Sequence, residues 1–317
     1  MRLFVTGGAG FIGSNYVHQV MATSDDEITV FDALTYAGNL ENLRDLENDR
    51  RYRFVKGDIT DRGAVEEAMA GHDAVVHFAA ESHVDRSIVS PDEFVHTNCD
   101  GTNVVMDVAR RLEVSRILHI STDEVYGSIE EGSFTEDDPL TPRSPYSASK
   151  AGSDLVALSY FTTYGLPVLI TRSSNNFGPY QYPEKVIPLF VTNLLDGRKV
   201  PLYGDGMNVR DWCYVEDNCA GVDLVLRKGE IGEIYNIGAD NEIPNRVLTE
   251  KILELLGTDE SMIDYVEDRL GHDRRYSIAT DKVEALGWRP TRNLDEALAA
   301  TVEWYRANRA WWEPLKR

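Results

Sequence analysis

The sequence has few cysteines, no long apolar run and too little positive charge to balance its acidic residues, and each shortage excludes a class of protein. Its three cysteines, Cys99, Cys213 and Cys219, are odd in number and lack Cys-x-x-Cys spacing, which argues against a disulfide framework and for a reducing cytoplasm. No apolar run reaches the roughly 18 residues of a membrane-spanning helix. With 32 basic against 53 acidic residues, the net charge of −21 disfavours binding to nucleic acid or anionic membranes. We therefore expect a cytoplasmic protein with no nucleic-acid or membrane partner.

The first half of the 317-residue chain alternates short apolar runs with longer amphipathic ones, which predicts a parallel sheet with crossover helices. The predicted strands are Arg2–Thr6, Ile28–Phe31, Arg53–Lys56, Ala74–Phe78, Arg116–Ile120 and Val168–Thr171. The predicted helices lie near Phe11–Met21, Asp61–Ala70, Asp92–Leu112 and Pro145–Tyr164. We expect an α/β fold in which a doubly wound parallel sheet occupies residues 1–172.

After residue 172, glycine and proline interrupt the alternation of apolar and amphipathic runs. We expect a smaller, mixed α/β lobe over residues 173–317. Its predicted helices lie near Val186–Leu195, Asn218–Leu226, Asn245–Leu256, Asp281–Leu286 and Leu294–Arg309. The boundary is soft, because a late strand at Ile234–Ile237 can return to the first sheet.

A glycine-rich turn follows the first predicted strand and opens the first helix. It reads Thr-Gly-Gly-Ala-Gly-Phe-Ile-Gly over residues 6–13 and satisfies G-x-G-x-x-G. Glycine allows a tight turn and lets the backbone approach a pyrophosphate at the helix N-terminus. Asp32 ends the second strand 19 residues after Gly13, where its carboxylate can bind a ribose and would repel a 2′-phosphate. The pattern predicts a Rossmann-type domain that binds NAD rather than NADP.

A tyrosine and a lysine, Tyr146 and Lys150, are four residues apart on a predicted helix, so their side chains share one face. The helix starts at Ser144-Pro145, a favourable cap and first-turn pair. A nearby ammonium favours tyrosinate and lowers the phenol pKa from about 10, so this tyrosine can take a proton from an alcohol. The alternative is a Tyr–Lys contact on a solvated face.

Two carboxylates and a hydroxyl follow the fifth predicted strand, in Ser-Thr-Asp-Glu-Val-Tyr-Gly over residues 121–127. Thr122 can hydrogen-bond the alcohol that Tyr146 deprotonates. Asp123 and Glu124 can divide the roles of acid and base, because neighbouring carboxylates can be pushed to different pKa values. Both reach one substrate only if the backbone turns here, and the spacing alone does not assign the two roles.

These residues together resemble the extended short-chain dehydrogenase/reductase superfamily. Within it, residues 121–127 are similar to nucleoside-diphosphoglucose 4,6-dehydratases, especially those that act on dTDP-glucose. The same resemblance extends over Ala79–Ser87, Ser144–Lys150, Tyr180–Lys185 and Gly271–Tyr276, and it spans nearly the whole chain. Leu270 and Phe177 depart from the family pattern without touching the expected chemistry.

The resemblance implies that Tyr146, supported by Lys150 and Thr122, takes the proton of the sugar's 4-hydroxyl while hydride passes from C4 to NAD. It makes Glu124 the base at C5 and Asp123 the acid that protonates the departing 6-hydroxyl. Hydride then returns to C6, which yields a 4-keto-6-deoxy sugar nucleotide. NAD is regenerated in each turnover and is expected to stay tightly bound. Relatives commonly dimerise through the catalytic helix and its neighbour, so a homodimer is expected.

The motifs and the resemblance together predict two sets of binding residues in addition to the catalytic Thr122, Asp123, Glu124, Tyr146 and Lys150. The predicted NAD site comprises Gly7, Gly10, Phe11, Ile12, Gly13, Asp32, Leu34, Thr35, Asp58, Ile59, Ala79, Ala80, Ser82, Thr97, Tyr146, Lys150 and Asn176. The predicted nucleotide-sugar site comprises His83, Thr122, Asn175, Lys185, Val186, Pro201, Tyr203, Arg210, Asn245, Asp268 and His272. Arg274 is a further candidate for the diphosphate, since a guanidinium suits phosphate oxygens.

Several other functions compete with dehydration. A sugar-nucleotide 4-epimerase would use the same glycine turn, Tyr146 and Lys150, but would not need Asp123 and Glu124. A decarboxylase must hold a substrate carboxylate, which that acidic pair would repel. A non-catalytic NAD-binding regulator would be expected to lack the tyrosine–lysine pair. No metal site is expected, because the seven histidines show no H-x-x-x-H or Cys/His ligand spacing.

Overall fold

Seven parallel strands form the central sheet, in the order β10-β6-β5-β4-β1-β2-β3. The structure is a computed structural model that describes residues 1–316. Two smaller sheets have the orders β11-β9-β7 and β12-β8. The strands are β1 Arg2–Thr6, β2 Glu27–Asp32, β3 Tyr52–Lys56, β4 Ala74–His77, β5 Arg116–Thr122, β6 Val168–Ser173, β7 Asn175–Phe177, β8 Val200–Tyr203, β9 Val209–Tyr214, β10 Ile234–Ile237, β11 Glu242–Pro244 and β12 Ile263–Val266.

Helices cover both faces of this sheet and build the second lobe. They are α1 Phe11–Thr23, α2 Arg62–Met69, α3 Val84–Val89, α4 Pro91–Val95, α5 Thr102–Arg111, α6 Pro145–Tyr164, α7 Val186–Leu195, α8 Val215–Lys228, α9 Asn245–Leu256, α10 Asp281–Ala285, α11 Leu294–Ala307 and α12 Arg309–Trp312. Short 3₁₀ turns occur at Leu40–Leu46, Asp123–Val125, Glu260–Met262 and Glu313–Lys316. No helix within residues 1–316 combines the length and apolar character needed to cross a membrane.

The core strands are apolar at successive positions because both faces of the sheet are covered. Leu3 and Val5 of β1 pack in one core with α1 and α8, whereas Phe4 packs in the opposite core with α2 and α5. Side chains alternate along a strand, so one apolar run serves both cores. The predicted Rossmann-type parallel sheet is confirmed.

The chain after residue 172 contributes to both parts of the molecule. Ile234–Ile237 forms β10 and pairs with β6 at the edge of the central sheet, so the predicted return of this strand is confirmed. The second lobe has its own core, which includes Phe190, Trp212, Leu298 and Trp312. The division at residue 172 stays a prediction.

The single helix predicted over Asp92–Leu112 is wrong in detail. The structure has α4, then a π-helical segment at His96–Gly101, then α5. Within the segment, the Asn98 amide donates to the Glu81 carbonyl at 3.0 Å and to Ser149 Oγ at 2.8 Å. These tertiary hydrogen bonds favour the wider turn of a π-helix, which the spacing of residues does not reveal. Single π-helical turns often occur at functional sites.

Candidate active site

A cavity of about 470 Å³ lies between the carboxyl ends of the central strands and the second lobe. Parallel α/β sheets bind ligands at this edge, because the loops that follow the strands meet there. Every predicted catalytic residue lines the cavity, as does every predicted binding residue except Leu34 and Asp268. The fold therefore brings together residues that are up to 265 positions apart, from Gly7 to His272.

The glycine turn after β1 leaves no room for side chains where the backbone is closest. A Cβ on Gly7 would lie 2.6 Å from the Ala79 nitrogen, and Gly7 has φ +69°. A Cβ on Gly13 would lie 2.3 Å from the Gly7 carbonyl oxygen. Gly10 caps α1 without a side-chain hydrogen bond, so the helix N-terminus faces the cavity without a competing side chain. This cradle fits a dinucleotide pyrophosphate.

Asp32 lies at the end of β2 and organises the turns on either side of it. Its Oδ2 accepts from the Ala9 N–H at 3.0 Å, and its Oδ1 accepts from the Leu34 N–H at 2.8 Å. Burial raises the pKa of this carboxyl, and the two backbone hydrogen bonds oppose the rise. A carboxylate has about four acceptor sites, so capacity remains for ribose hydroxyls. Leu34, with φ +54°, contributes its N–H to Asp32 and does not line the cavity.

The backbone turns where β5 ends, which places both adjacent carboxylates at the cavity. A 3₁₀ turn covers Asp123–Val125, and the Thr122 hydroxyl caps it by accepting from the Glu124 N–H at 3.2 Å. The same hydroxyl donates to Asp123 Oδ1 at 3.2 Å. The turn that the acid–base hypothesis requires is therefore present.

The two carboxylates lie in different surroundings. Asp123 is 3% exposed, and no side chain or backbone group of residues 1–316 hydrogen-bonds to its Oδ2. Burial, and then the charges of Glu124 and Asp211, raise the pKa of Asp123 well above its usual value. Asp123 is thus suited to hold a proton near neutral pH, as a general acid requires. Glu124 is less buried and adds its negative charge to the surroundings of Lys185 and Arg210.

The predicted helix Pro145–Tyr164 is confirmed as α6, which presents Tyr146 and Lys150 to the cavity. Ser144 and Ser147 form a reciprocal capping box at its start, which fixes the entry of the helix. Tyr146 and Lys150 are both buried.

In this structure the pKa of the Tyr146 phenol is raised, whereas the sequence predicts a lowered pKa. Burial, and then the charge of Glu124, raise the pKa of the phenol, and a hydrogen bond with Thr122 opposes the rise. Lys150 Nζ instead donates to the Ile120 carbonyl at 2.7 Å, at the end of β5. Burial also lowers the pKa of Lys150 to about 8, which weakens the positive charge available to the phenol.

Cations gather at the second-lobe end of the cavity. Arg210 is 4% exposed, donates to the Asp273 carbonyl at 2.9 Å and lies 4.1 Å from the centre of the Tyr276 ring. Lys185 Nζ donates to the Ser82 carbonyl at 2.8 Å, and burial lowers the pKa of this lysine. These two side chains are positioned to meet an anionic group inside an acidic protein.

Arg274 does not line the cavity, which corrects its assignment as a diphosphate partner. Both of its terminal nitrogens donate to the Asp205 carboxylate, at 2.9 and 3.0 Å. A bidentate carboxylate occupies the guanidinium that phosphate would need. Arg269 lines the cavity in its place; the resemblance favoured the stretch Asp268–His272 that contains Arg269, but sequence reasoning did not select Arg269 itself.

His83 and His272 are held by neighbours on the cavity wall. His83 Nδ1 accepts from the Arg86 N–H at 3.3 Å, and burial lowers the pKa of His83 to about 4, so the ring is neutral. Asp268 is exposed to solvent and contacts His272 Nδ1 at 2.6 Å. Asp268 therefore orients His272 and does not itself line the cavity.

Sequence reasoning also missed acidic and polar wall residues that flank recognised motifs. Glu184 accepts from the Tyr36 hydroxyl at 2.9 Å, and burial raises the pKa of Glu184. The sequence contains one indication of these missed residues: they lie inside the motifs, next to residues that sequence reasoning selected. The missed polar and charged wall residues include Glu81, Asp85, Ser174, Gln181, Glu184 and Trp212.

Known proteins match this chain over almost its full length. Residues 4–301 match the family described as GDP-mannose 4,6 dehydratase. The chain is 56% identical to a dTDP-glucose 4,6-dehydratase of Streptomyces antibioticus, over 100% of this chain and 96% of that protein. The structure is similar to DesIV, a dTDP-glucose 4,6-dehydratase from Streptomyces venezuelae with NAD and dTDP bound, with a TM-score of 0.98, 57% identity and coverage of 99% and 100%.

An epimerase shares the fold at lower sequence identity. The UDP-glucose 4-epimerase of Thermus thermophilus, in complex with NAD, has a TM-score of 0.90 and 32% identity, with 97% of this chain and 100% of that chain covered. Sequence identity to both dehydratases is greater, and the TM-score with DesIV is higher.

Proposed function

Because this chain belongs to the GDP-mannose 4,6 dehydratase family, we propose that it converts dTDP-glucose to the 4-keto-6-deoxy sugar nucleotide. It is an NAD-dependent hydro-lyase. The observation that carries the proposal is the placement of Asp123 and Glu124 in one cavity with Tyr146. A 4-epimerase needs the tyrosine but has no step that uses an acid–base pair at C5 and C6.

NAD would carry the hydride that leaves C4 of the sugar and returns at C6, so that no net oxidation occurs. The glycine cradle would hold the NAD pyrophosphate, and Asp32 would accept a hydrogen bond from a ribose hydroxyl. Gly7 and Gly13 are essential to this binding, since a Cβ at either would collide with backbone atoms. The carboxylate of Asp32 also disfavours a 2′-phosphate, which accounts for NAD rather than NADP.

The first proton transfer takes place at the 4-hydroxyl. Tyr146 accepts this proton, and Thr122 orients the hydroxyl from the end of β5. Burial raises the pKa of Tyr146, so the phenolate needs compensating positive charge. Lys150, one helical turn away and also buried, supplies that charge.

Elimination of water follows once C4 is a ketone, because the ketone acidifies the proton on C5. Glu124 takes the C5 proton while Asp123 gives its proton to the 6-hydroxyl, which leaves as water. Glu124 then returns its proton to C5 as C6 becomes a methyl group. The raised pKa of Asp123 supports this division, since the acid must carry a proton at neutral pH.

The nucleotide end binds the diphosphate through positive charge. Arg210, Arg269 and Lys185 line this part of the cavity. Local cations of this kind attract a dianion even though the whole chain carries a charge of −21. The second lobe therefore serves as the nucleotide-sugar lobe.

The chain is further proposed to act in the cytoplasm as a homodimer that binds no nucleic acid. Val95 on α4 and Leu155 on α6 are exposed apolar side chains, and they support self-association through these two helices. Light scattering on the purified protein is expected to give twice the 35.6 kDa chain mass. Leu155→Glu is expected to shift that mass toward the monomer, and a monomeric wild type would contradict the proposal.

Incubation of the purified protein with dTDP-glucose and no added reductant tests the function. Loss of the mass of one water and the alkali-induced absorbance of a 4-keto sugar are expected. UDP-glucose in a parallel reaction is expected to turn over more slowly. Unchanged mass with conversion to the galactose form would show an epimerase instead.

A further inference from the structure

A buried group of ionisable side chains lies behind Lys150 and lines no part of the cavity. It comprises Asp154 on α6, His119 on β5 and Arg172 on β6, whose side chains are at most 2% exposed. Fully buried charges are expensive unless they are paired, and the chemistry described above uses none of these three. Their place beside the catalytic lysine calls for an explanation.

Asp154 is the centre of this group. Its Oδ2 accepts from Arg172 Nε at 2.9 Å, and its Oδ1 lies 3.3 Å from His119 Nε2. Arg172 also donates through Nη1 to the Tyr126 hydroxyl at 2.8 Å. Asp154 follows Lys150 by four residues on α6, so the carboxylate and the ammonium share one face of the helix. Contacts from β5 and β6 thus hold the carboxylate one helical turn along α6 from a buried ammonium.

Asp154 remains ionised in this position. Burial alone would raise the pKa of its carboxyl, but the His119 ring beside Oδ1 and the charge of Arg172 outweigh burial and hold the pKa below its usual range. Burial in turn lowers the pKa of Lys150 to about 8, and Asp154 is the strongest influence that opposes this fall.

The other titratable groups around Lys150 are neutral near pH 7. Burial lowers the pKa of His119 on β5 to about 4 and lowers that of His77 on β4 well below its usual value. Burial raises the pKa of the Cys99 thiol in the π-helical segment, and that of the Tyr146 phenol on α6. Asp154 is therefore the anion that faces the ammonium from within the core.

We propose that Asp154 is a positioning residue for catalysis, which keeps Lys150 charged so that Lys150 can stabilise the phenolate of Tyr146. Arg172 and His119 hold Asp154 ionised and correctly placed. The inference rests on the role of Lys150 in the proposed function. The competing explanation is an ion pair that only braces α6 against β6.

The substitution Asp154→Asn tests the proposal because it keeps the shape of the side chain and removes its charge. Lysine labelled with ¹³C at Cε permits titration of Lys150 by NMR, with its signal assigned by its loss in Lys150→Met. The pKa of Lys150 is expected to fall by about one unit. The alkaline limb of the pH profile of kcat/KM is expected to shift to lower pH by the same amount. At a pH on that limb, the rate is expected to fall about tenfold.

Tyr126→Phe is the matched control. It removes the hydrogen bonds of the Tyr126 hydroxyl with Arg172 and with Asn236 and leaves the Asp154 charge in place. Both variants are expected to lower the melting temperature, but Tyr126→Phe is expected to leave the Lys150 titration and the pH profile unchanged. The proposal would be overturned if both variants lowered stability equally and Asp154→Asn left the titration of Lys150 unchanged. That result would show that the ion pair only braces α6 against β6.

Asp154→Asn leaves the Arg172 guanidinium buried without its carboxylate and can fail to fold for that reason. The double variant Asp154→Asn/Arg172→Gln removes both charges, and a fall in the pKa of Lys150 is again expected, although a smaller one. An unchanged pKa in the double variant would also overturn the proposal. The NMR titration reports the coupling of Asp154 to Lys150 even if dTDP-glucose is not the substrate. A failure of the proposed function can therefore be distinguished from a failure of the proposal for Asp154.

Discussion

The two ends of the cavity are built in different ways. At the catalytic end, Thr122 ends β5 and the two carboxylates follow it directly, while Tyr146 and Lys150 lie one turn apart on α6. At the nucleotide end, Lys185 precedes α7, Arg210 belongs to β9, and Arg269 lies in a loop after β12. At the catalytic end, spacing along the sequence therefore sets the distances between neighbouring side chains. At the nucleotide end, the packing of separate segments sets those distances.

The nucleotide end is also partly open to solvent, although Arg210 is buried within it. Tyr146 and Lys150 are buried, while Tyr203 at the nucleotide end is 37% exposed. Burial strengthens electrostatic effects and moves pKa values, as chemistry at the sugar requires. Partial exposure at the other end leaves an entrance for a nucleotide. The comparison teaches that local motifs specify the reaction, and that tertiary packing specifies how the substrate is held.

The largest effect is expected at the catalytic end, from Tyr146→Phe. Loss of the proposed acceptor of the 4-hydroxyl proton is expected to lower kcat by about 10²–10⁴. Binding of dTDP, measured by calorimetry, is expected to change little. Tyr160→Phe on the same helix is the control, since it removes only the hydrogen bond to Asn103 near the surface. Near-normal turnover by Tyr146→Phe would rule out its role.

Glu124→Gln separates the two stages of the reaction. Without the base at C5, oxidation at C4 is expected to proceed, whereas release of water is expected to fall by about 10²–10⁴. Absorbance of reduced nicotinamide after addition of substrate measures the first stage, and the mass of the sugar nucleotide measures the second. Glu130→Gln, at an exposed position six residues along, is expected to behave as wild type. Full dehydration by Glu124→Gln would refute the assignment.

At the nucleotide end, Arg210→Gln is expected to raise KM more than it lowers kcat. Hydrogen bonds to charged groups contribute about 1.5–3 kcal/mol, so the increase in KM is expected to be roughly tenfold to a hundredfold. Arg274→Gln is the matched control, because Asp205 already binds that guanidinium outside the cavity. Steady-state kinetics with dTDP-glucose measures both. Equal effects of the two variants would contradict the distinction drawn between these arginines.

The smallest effect concerns stability. A carboxyl with a raised folded-state pKa favours folding at pH values below its unfolded pKa, and loses that contribution as the pH rises toward the folded pKa. Asp123 is such a group, so it destabilises the protein near neutral pH. Asp123→Asn is therefore expected to raise the melting temperature by a few degrees at pH 8 and by less at pH 5, while dehydration is lost. A lower melting temperature at both pH values would show that the carboxyl is stabilising.

Much of the fold and of the catalytic end was predictable from the sequence. Apolar runs predict the strands of the central sheet, and Ser144-Pro145 predicts the first residue of α6. The π-helical segment at His96–Gly101 was not predictable, because it depends on hydrogen bonds from Asn98 to residues distant in the sequence. For a similar reason, the sequence did not show that Arg269 lines the cavity and that Arg274 does not. Only the folded chain places Asp205 against Arg274.

The sequence by itself determined the parallel sheet, the glycine cradle and the grouping of Tyr146 with Lys150, because each depends on residues a few positions apart whose geometry the backbone dictates. Only the tertiary structure decided the charge states in the site. Burial of Tyr146, Lys150 and Asp123 moves their pKa values, and the group around Asp154 joins residues from α6, β5 and β6. Desolvation and charge pairing depend on what surrounds a side chain in space, and spacing along the chain carries no record of those surroundings.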